Sequence, residues 1–235
     1  MTGANTTSRK EAERIDIPAE IPREDVLAEF KQERTRAKVE TIVDDLIDMA
    51  TEAARPKGLF RVCRVEERDR DGVVVDGVRL TSRVLSKNLS DTCTVIPELV
   101  TCGRELDELP VSPKDFIRYY CLDVIKTVVM FHATEYFFNY LKDTFNLTEM
   151  VHLHPGEFGD WPITEQAPLF QLLGDTEASI GVKLTSSLTL QPVKSGSGLV
   201  FSSDHSFESC QLCLQANCPG RRKPYNPRLV KQFTE

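Results

Sequence analysis

The sequence contains no long apolar run and few residues of the types that mark special chemistry. Its 235 residues include one Trp and four His. The longest stretch without Asp, Glu, Lys or Arg is residues 209–220, whereas a membrane span needs roughly 18 apolar residues. The N-terminal segment is polar, so we expect no signal peptide and a cytoplasmic location. The net charge of −7 argues against a protein that coats nucleic acid through bulk electrostatics.

Common catalytic and nucleotide-binding motifs are also missing. No Gly-x-Gly-x-x-Gly sequence and no Gly-x4-Gly-Lys-Ser loop is present, and Gly196-Ser197-Gly198 is too short for the Gly-x-Ser-x-Gly turn of a serine hydrolase. Residues 194–198 are compatible with a tight β connection and equally with a backbone cradle for an anion. We therefore assign no catalytic residues and do not expect a self-sufficient enzyme.

Cysteine is the unusual feature of the composition. Three of the seven cysteines, Cys210, Cys213 and Cys218, follow the pattern Cys-x2-Cys-x4-Cys near the C-terminus. A Cys-x-x-Cys turn directs two thiolates towards one metal, and the spacing suits an iron–sulfur cluster, such as a 4Fe–4S cluster, or a structural zinc. A fourth ligand must then come from elsewhere in the chain. A redox dithiol and a tail without metal are the alternatives.

Charge is divided unequally between the tail and the rest of the chain. Residues 208–235 contain five basic and two acidic residues, a balance of +3, which leaves −10 for residues 1–207. A basic segment beside cluster thiolates would offset their negative charge or bind an acidic partner. A solvated tail explains the same pattern.

Hydrophobic periodicity predicts an α+β fold with an antiparallel sheet. Residues 1–20 show no apolar period and are predicted to be disordered, residues 21–207 form the α+β domain, and residues 208–235 form the Cys-rich basic tail. A helix of residues 113–145 has aromatic residues at helical spacing, among them Phe116, Tyr120 and Phe131, and we predict that they are core. The other predicted elements are a helix ending at residue 53, strands over 59–65 and 73–75, a helix over 82–89, a strand over 93–101, a helix over 164–173, and strands over 180–184, 188–193 and 198–201.

The segment from His152 to Pro162 is the best candidate for a binding site outside the tail. Its Gly and Pro residues predict a loop, and loops on a rigid scaffold often carry binding residues. His152 and His154 are two residues apart, so an extended backbone places them on the same side. They are candidates for a metal pair, although satisfied loop histidines explain the spacing as well.

Several short motifs of the second half occur together in one known family. They are Pro155-Gly156, Asp160-Trp161-Pro162-Ile163, Ile180–Thr185, Lys194–Gly198 and Arg221–Tyr225. These motifs resemble the activation domain of vitamin B12-dependent methionine synthase, and resemble its stand-alone bacterial relatives more closely. The resemblance covers about residues 35–230 and is strongest from 150 to 225.

The resemblance implies both a fold and a function. The family's domain is a C-shaped α+β unit in which helices flank a twisted antiparallel sheet. It binds S-adenosylmethionine, which remethylates cobalamin after the cobalt has been oxidised and reduced again. The family's cobalt-ligating Asp-x-His-x-x-Gly motif is absent here, so a partner protein would supply the cobalamin. The implied function is that of an accessory subunit for reductive activation of a corrinoid-dependent methyltransferase, most simply a split B12-dependent methionine synthase in methionine biosynthesis.

The resemblance also implies which residues border the cofactor. They are His152, Pro155, Gly156, Phe158, Asp160, Trp161 and Thr185. Phe158 and Trp161 are expected to offer apolar surface to the edge of the cofactor. In the family's motif Arg-x-x-x-Gly-Tyr-Pro-Ala-Cys-Pro, His152 replaces the Arg and Glu157 replaces the Tyr. A guanidinium that could hold a carboxylate through two hydrogen bonds is therefore lost, which leaves S-adenosylmethionine binding open.

The resemblance to a corrinoid activator suggests a specific role for the tail cysteines. A cluster on Cys210, Cys213 and Cys218 would relay the low-potential electron that cob(II)alamin reduction requires, with a separate electron donor as a further partner. Cys102, at the end of a predicted strand, is the first candidate for the fourth ligand, and Cys121 is the second. The alternative is a non-catalytic module that binds a corrinoid protein and carries a structural metal.

Overall fold

Helices and strands alternate along the chain in the computed structural model, which describes residues 11–89, 94–147, 149–203, 207–218 and 221–235. The strands are β1 (Glu13–Asp16), β2 (Lys57–Phe60), β3 (Cys63–Asp69), β4 (Gly72–Val75), β5 (Val78–Thr81), β6 (Thr94–Thr101), β7 (Met150–Leu153), β8 (Lys183–Leu184), β9 (Leu190–Gln191) and β10 (Ser195–Ser202). The α-helices are α1 (Arg23–Ala28), α2 (Glu33–Ala53), α3 (Arg83–Asn88), α4 (Phe116–Phe145), α5 (Gln166–Leu173), α6 (Thr176–Ile180) and α7 (Pro227–Thr234). Within these ranges, short 3-10 helices cover Arg104–Asp107, Ile163–Glu165 and Ser209–Gln211.

The main sheet is built around β6, whose apolar residues are buried. One edge of β6 pairs with β10, from Val95 opposite Phe201 to Thr101 opposite Ser195. The other edge pairs with β3 and then with β2. Pro97 has no N–H for a sheet hydrogen bond. It lies between the part of β6 that pairs with β3 and the part that pairs with β2. The strand predicted over residues 59–65 is consequently divided into two.

The remaining strands extend this sheet in both directions. β7 pairs with β10, β1 pairs with β2, and β3, β4 and β5 form consecutive hairpins, while β8 and β9 form a separate pair. Every pairing among the described strands is antiparallel. The predicted α+β class with an antiparallel sheet and flanking helices is confirmed.

Two long helices pack together and against the sheet. Val43 and Leu46 of α2 share an apolar cluster with Ile125 and Val129 of α4. Further along α4, Phe137 packs in a cluster with residues of β2, β6 and β10. Within the ranges that the structure describes, no helix is long and apolar enough to cross a membrane.

The aromatic stripe predicted as core on α4 is largely on the surface. Phe116, Tyr120 and Phe131 are 80%, 55% and 66% exposed. The helix is apolar around much of its circumference, so the spacing of its aromatic residues does not identify the side that packs. The buried side is instead the one that contains Cys121, Ile125 and Val129.

Both ends of the described chain are more ordered than the sequence predicts. Residues 13–16 form β1 on the edge of β2, and Ile17 is buried beside it, so the predicted disorder does not extend to this strand. At the other end, Leu212 and Phe233 are buried in the same cluster as residues of β3, β4 and β5. The Phe233 ring lies 5.0 Å from that of Phe207. The described part of residues 208–235 is therefore packed onto the α+β domain.

The segment before β10 also differs from the prediction. Residues 176–180 form α6, which is capped by the Asp175 side chain and ends at Gly181 with φ +77°, so only Lys183–Leu184 remain as a strand. β10 begins at Ser195 rather than at Gly198. The Ser-Gly-Ser-Gly sequence is consequently part of a central strand, and this position brings Ser197 and Gly198 to the site described next.

Candidate functional site

An open cavity of about 760 Å³ lies between α4, β7 and the segment that follows β10. Pockets of this size hold small-molecule ligands in many proteins. Its lining includes Met130, Phe131 and Phe138 of α4, His152 of β7, His154 directly after that strand, and Arg222. The cavity thus combines an aromatic wall, a polar floor and a basic residue from the tail.

The floor of the cavity is formed where β6, β10 and β7 lie side by side. Gly198 of β10 is paired with Glu98 of β6. Leu199 is paired with Leu153, the last residue of β7, so Gly198 lies at the end of β7, where His154 follows. His152 projects from the same face of β7, because side chains two residues apart share a face. A Cβ on Gly198 would lie 2.5 Å from His152 Nε2 and 2.8 Å from Glu98 Oε1. The absence of a side chain at Gly198 therefore lets these groups meet above β10.

Hydrogen bonds fix the orientation of both histidines. His152 Nε2 lies 2.9 Å from Glu98 Oε1. His154 Nδ1 donates to the backbone oxygen of Ser197 at 2.8 Å, so its Nε2 carries the lone pair. The imidazole centroids are 3.9 Å apart, and the Phe138 ring lies 4.2 Å from that of His152. One potential ligand atom from each of Glu98, His152 and His154 lies within 4.8 Å of the other two.

Burial controls the ionisation of these groups. Glu98 is 1% exposed, and burial raises the pKa of its carboxyl to about 8. Burial lowers the pKa of His152 to about 3, and the positive charge of Arg222 acts in the same direction. The pKa of His154 is lowered first by burial and then by His152, against the opposing charges of Glu98 and Glu157. Burial therefore favours the uncharged form of all three groups.

Two buried carboxyl oxygens near this floor have no hydrogen-bond partner among the described residues. They are Oε2 of Glu98 and Oε2 of Glu157. The other oxygen of Glu157 accepts a hydrogen bond from Ser209 Oγ at 2.5 Å, which joins the loop after β7 to the tail. Buried polar atoms are nearly always paired in folded proteins. These two oxygens therefore mark a region in which the hydrogen-bonding capacity of the protein is not fully used.

The loop from Pro155 to Pro162 is folded into the core rather than towards a ligand. Trp161 is 0% exposed and Phe158 is 7% exposed. The turn is closed by hydrogen bonds from Gly156 N to Trp161 O, at 2.7 Å, and from Trp161 N to Phe158 O, at 3.1 Å. The expected apolar edge for a cofactor is therefore not formed by these two rings, because the turn directs them into the apolar cluster of the sheet.

The other polar residues implied by the family resemblance form hydrogen bonds within the fold. Asp160 Oδ2 accepts hydrogen bonds from Ser82 Oγ at 2.6 Å and from Val84 N at 3.0 Å, at the start of α3. Thr185 lies in the turn between β8 and β9, where its Oγ1 is 2.8 Å from Thr189 Oγ1. Pro155 is buried and Gly156 is exposed. Of the seven implied residues, His152 is the one that lines the cavity.

The tail cysteines surround an arginine. Arg221 donates to the backbone oxygens of Cys210 and Cys213, each at 3.0 Å. Among the described cysteines, no three sulfur atoms lie within 4.8 Å of one another, whereas sulfurs around one zinc are about 3.8 Å apart. A preformed zinc site is therefore absent from the described thiols. Thiolates of an iron–sulfur cluster bind different iron atoms, so cluster binding stays a prediction.

The two proposed fourth ligands lie in the apolar core. Cys102 is 1% exposed and Cys121 is 0% exposed, both in the cluster between α2 and α4. Burial raises the pKa of the Cys102 thiol to about 12 and raises that of Cys121 as well. The structure does not bring either thiol together with the tail cysteines.

Comparison with known proteins gives a likeness at the level of fold. No protein-family model matches the chain, and no curated protein matches it. Among solved structures, the MetH reactivation domain bound to AdoHcy matches with a TM-score of 0.60 and 17% sequence identity, over 85% of this chain and 81% of that one. The chain has the fold of the MetH reactivation domain. The expected resemblance to the activation domain is confirmed at the level of fold.

Sequence reasoning found part of the polar floor and missed the rest. His152 and His154 were singled out by their spacing, whereas Glu98 and Gly198 were not. Glu98 is a carboxylate within the apolar run Val95–Val100, and a lone acidic residue in a buried strand is a signal that could have identified it. The contribution of Gly198 depends on the register of three strands, which local sequence does not reveal.

Proposed function

We propose that the protein is an accessory component for the reductive activation of a corrinoid-dependent methyltransferase, most simply a split B12-dependent methionine synthase. The observation that carries this proposal is the fold shared with the MetH reactivation domain along most of both chains. The protein would bind a partner that contains the cobalamin. The motifs shared with stand-alone relatives of that domain support an arrangement in which activation and cobalamin binding reside in separate proteins.

We further propose that the cavity holds the methyl donor. The matched domain was solved with AdoHcy, which differs from S-adenosylmethionine by the sulfonium methyl group. The cavity offers the basic residues Lys194 and Arg222 to an amino-acid carboxylate, Glu135 to its ammonium group, and Phe131 and Phe138 as apolar faces for adenine. Arg222 lies close enough to His152 to affect its pKa. This tail arginine would replace the guanidinium that is lost at position 152.

Substitution of Arg222 tests the position of the methyl donor. We expect Arg222→Ala to weaken AdoHcy binding about 10- to 100-fold, because a hydrogen bond to a charged group contributes about 1.5–3 kcal/mol. Isothermal titration calorimetry measures the change. Arg228→Ala, at an exposed position of α7, is the matched control and should bind as the wild type does. Equal affinity of all three proteins would contradict this position for the ligand.

The tail thiolates would hold an iron–sulfur cluster, which supplies a low-potential electron when bound. Iron analysis and electron paramagnetic resonance of anaerobically purified protein test for it directly. A colourless protein with stoichiometric zinc would contradict electron transfer and leave the alternative, a corrinoid-protein-binding module with a structural metal.

A reduction assay tests the proposed function as a whole. With a cob(II)alamin-loaded partner, a reductant and S-adenosylmethionine, we expect the wild-type protein to promote methylcobalamin formation and Cys213→Ser to lose most of this effect, which absorbance spectra of the corrinoid report. Leu214→Ser is the control, because Leu214 is adjacent and 76% exposed. No effect of the wild-type protein would contradict activation, and equal effects of wild type and Cys213→Ser would contradict the role of the tail thiols.

A further inference from the structure

The geometry points to a second metal site, separate from the tail cysteines, in which Glu98, His152 and His154 bind a divalent transition-metal ion at the floor of the cavity. Two imidazoles and one carboxylate are a ligand set used for zinc and for non-haem ferrous iron. The site is independent of the proposed function, since it depends on the described side chains alone.

The sheet is arranged so that these three side chains converge. Neighbouring strands are about 4.8 Å apart. Glu98 lies on β6 and His152 on β7, the two outer strands of three, and His154 follows β7 directly. Any side chain on the middle strand would occupy the space between them. That position is Gly198, where a Cβ would contact His152 Nε2 and Glu98 Oε1.

The ring nitrogens of His154 are oriented as they are in many metal sites. Metal-binding histidines usually donate their second ring N–H to a backbone oxygen or a carboxylate. His154 does so through Nδ1 to Ser197 O, which leaves Nε2 available to a metal. Ser197 is itself held in place, because its Oγ donates to Gln166 Oε1 at 2.7 Å in the buried interior. This second layer of contacts fixes the imidazole before any ion binds.

The unpaired oxygen of Glu98 supplies an independent indication of a ligand. Glu98 is 1% exposed and its Oε2 has no partner among the described residues. A carboxyl group that served only to hold His152 would leave this oxygen unsatisfied, at a cost of about 1–3 kcal/mol. Coordination of a cation by the carboxylate, through Oε2 alone or together with Oε1, uses that oxygen and removes the cost.

Binding requires only a small adjustment of the observed distances. Bonds of about 2.1 Å to nitrogen and oxygen in a tetrahedral site separate neighbouring ligand atoms by about 3.4 Å. His152 Nε2 and Glu98 Oε1 are 2.9 Å apart, and all three ligand atoms lie within 4.8 Å of one another. The three side chains leave one tetrahedral position, which a donor atom in the cavity can fill.

The test measures zinc binding after the tail thiols have been removed. The full-length protein carrying Cys210→Ser, Cys213→Ser and Cys218→Ser is treated with a chelator and titrated with Zn²⁺ by calorimetry, without S-adenosylmethionine. We expect one equivalent to bind, and we expect Glu98→Gln or His154→Gln in this background to weaken binding at least 100-fold. His132→Gln is the matched control, because His132 pairs with Asp25 outside the site and its loss should leave affinity unchanged.

Two further measurements test whether the variants are folded and which atoms bind the zinc. Circular dichroism establishes that each variant is folded. If the triple serine variant does not fold, zinc K-edge X-ray absorption of wild-type protein loaded with zinc distinguishes nitrogen and oxygen ligands from sulfur ligands. Absence of a nitrogen- and oxygen-bound equivalent, or unchanged affinity in folded Glu98→Gln, overturns the site. Neither result bears on methylcobalamin formation, so failure of the proposed function would be recognised separately.

Discussion

Replacing Trp161 with alanine is expected to lower the free energy of unfolding by about 3–5 kcal/mol, the usual cost of removing a large aromatic ring from a packed core. Trp161 is 0% exposed and belongs to the apolar cluster that contains Leu169 and Leu172 of α5. Its Nε1 has no hydrogen-bond partner among the described residues, so the loss arises from buried volume and apolar contact. Urea denaturation followed by far-ultraviolet circular dichroism measures the change, since the variant has no tryptophan fluorescence.

A second aromatic substitution provides the comparison for Trp161. Phe116 on α4 is 80% exposed, and Phe116→Ala should change the free energy of unfolding by no more than about 0.5 kcal/mol. Acrylamide should quench the fluorescence of wild-type Trp161 poorly. Strong quenching together with a loss below about 1 kcal/mol for Trp161→Ala would mean that the ring is exposed in solution, as the expected cofactor edge requires.

Substitution of Gly198 by alanine is expected to destabilise the protein by about 1–3 kcal/mol, the usual cost of overfilling a packed interior. The added Cβ would lie 2.6 Å from the backbone oxygen of Leu153 as well as 2.5 Å from His152 Nε2. A rotation of the imidazole relieves the second contact but not the first, so β7 and β10 must move apart. Thermal and urea denaturation measure this loss.

Gly196 is the control for this substitution, because it lies two residues earlier on the same face of β10. A Cβ on Gly196 would have Met130 Cε as its nearest neighbour, at 3.4 Å, which is an ordinary contact with the end of a flexible side chain. Gly196→Ala should therefore be close to neutral. Equal stabilities of the two variants would contradict the close approach of β7 and β10 at Gly198.

The strongest elements of the fold were predictable because their sequences are locally consistent. The apolar run of β6 and the 3.6-residue spacing of Val39, Val43 and Leu46 in α2 need no distant partner to be recognised. β1 was missed because Ile15 is its one apolar residue, with Ile17 directly after the strand. Its identity as a strand depends on pairing with β2, about 40 residues later in the chain.

The candidate site was predictable only in part for the same physical reason. His152 and His154 share a face at any strand position, so their spacing identified them. Glu98 reaches them across β10, and neither the register nor the space above Gly198 is encoded within one segment. Trp161 was expected at the edge of the cofactor because the family resemblance implied a binding surface there and its Gly and Pro neighbours predicted a loop. Those residues form a tight turn. The direction of its aromatic side chains, towards the apolar cluster of the sheet, depends on tertiary packing.

The attachment of the C-terminal segment has an entropic consequence for its thiols. Phe207 and Phe233 meet at either end of the segment, and the Arg221 guanidinium bonds backbone oxygens within it. The cysteines therefore lie on a closed loop, whose ends are brought together when the protein folds. Since loop closure is then part of the folding free energy, a ligand that binds these thiols does not incur that entropic cost again. Substitutions that detach α7 from the domain should accordingly weaken the binding of any such ligand, even though α7 contains no cysteine.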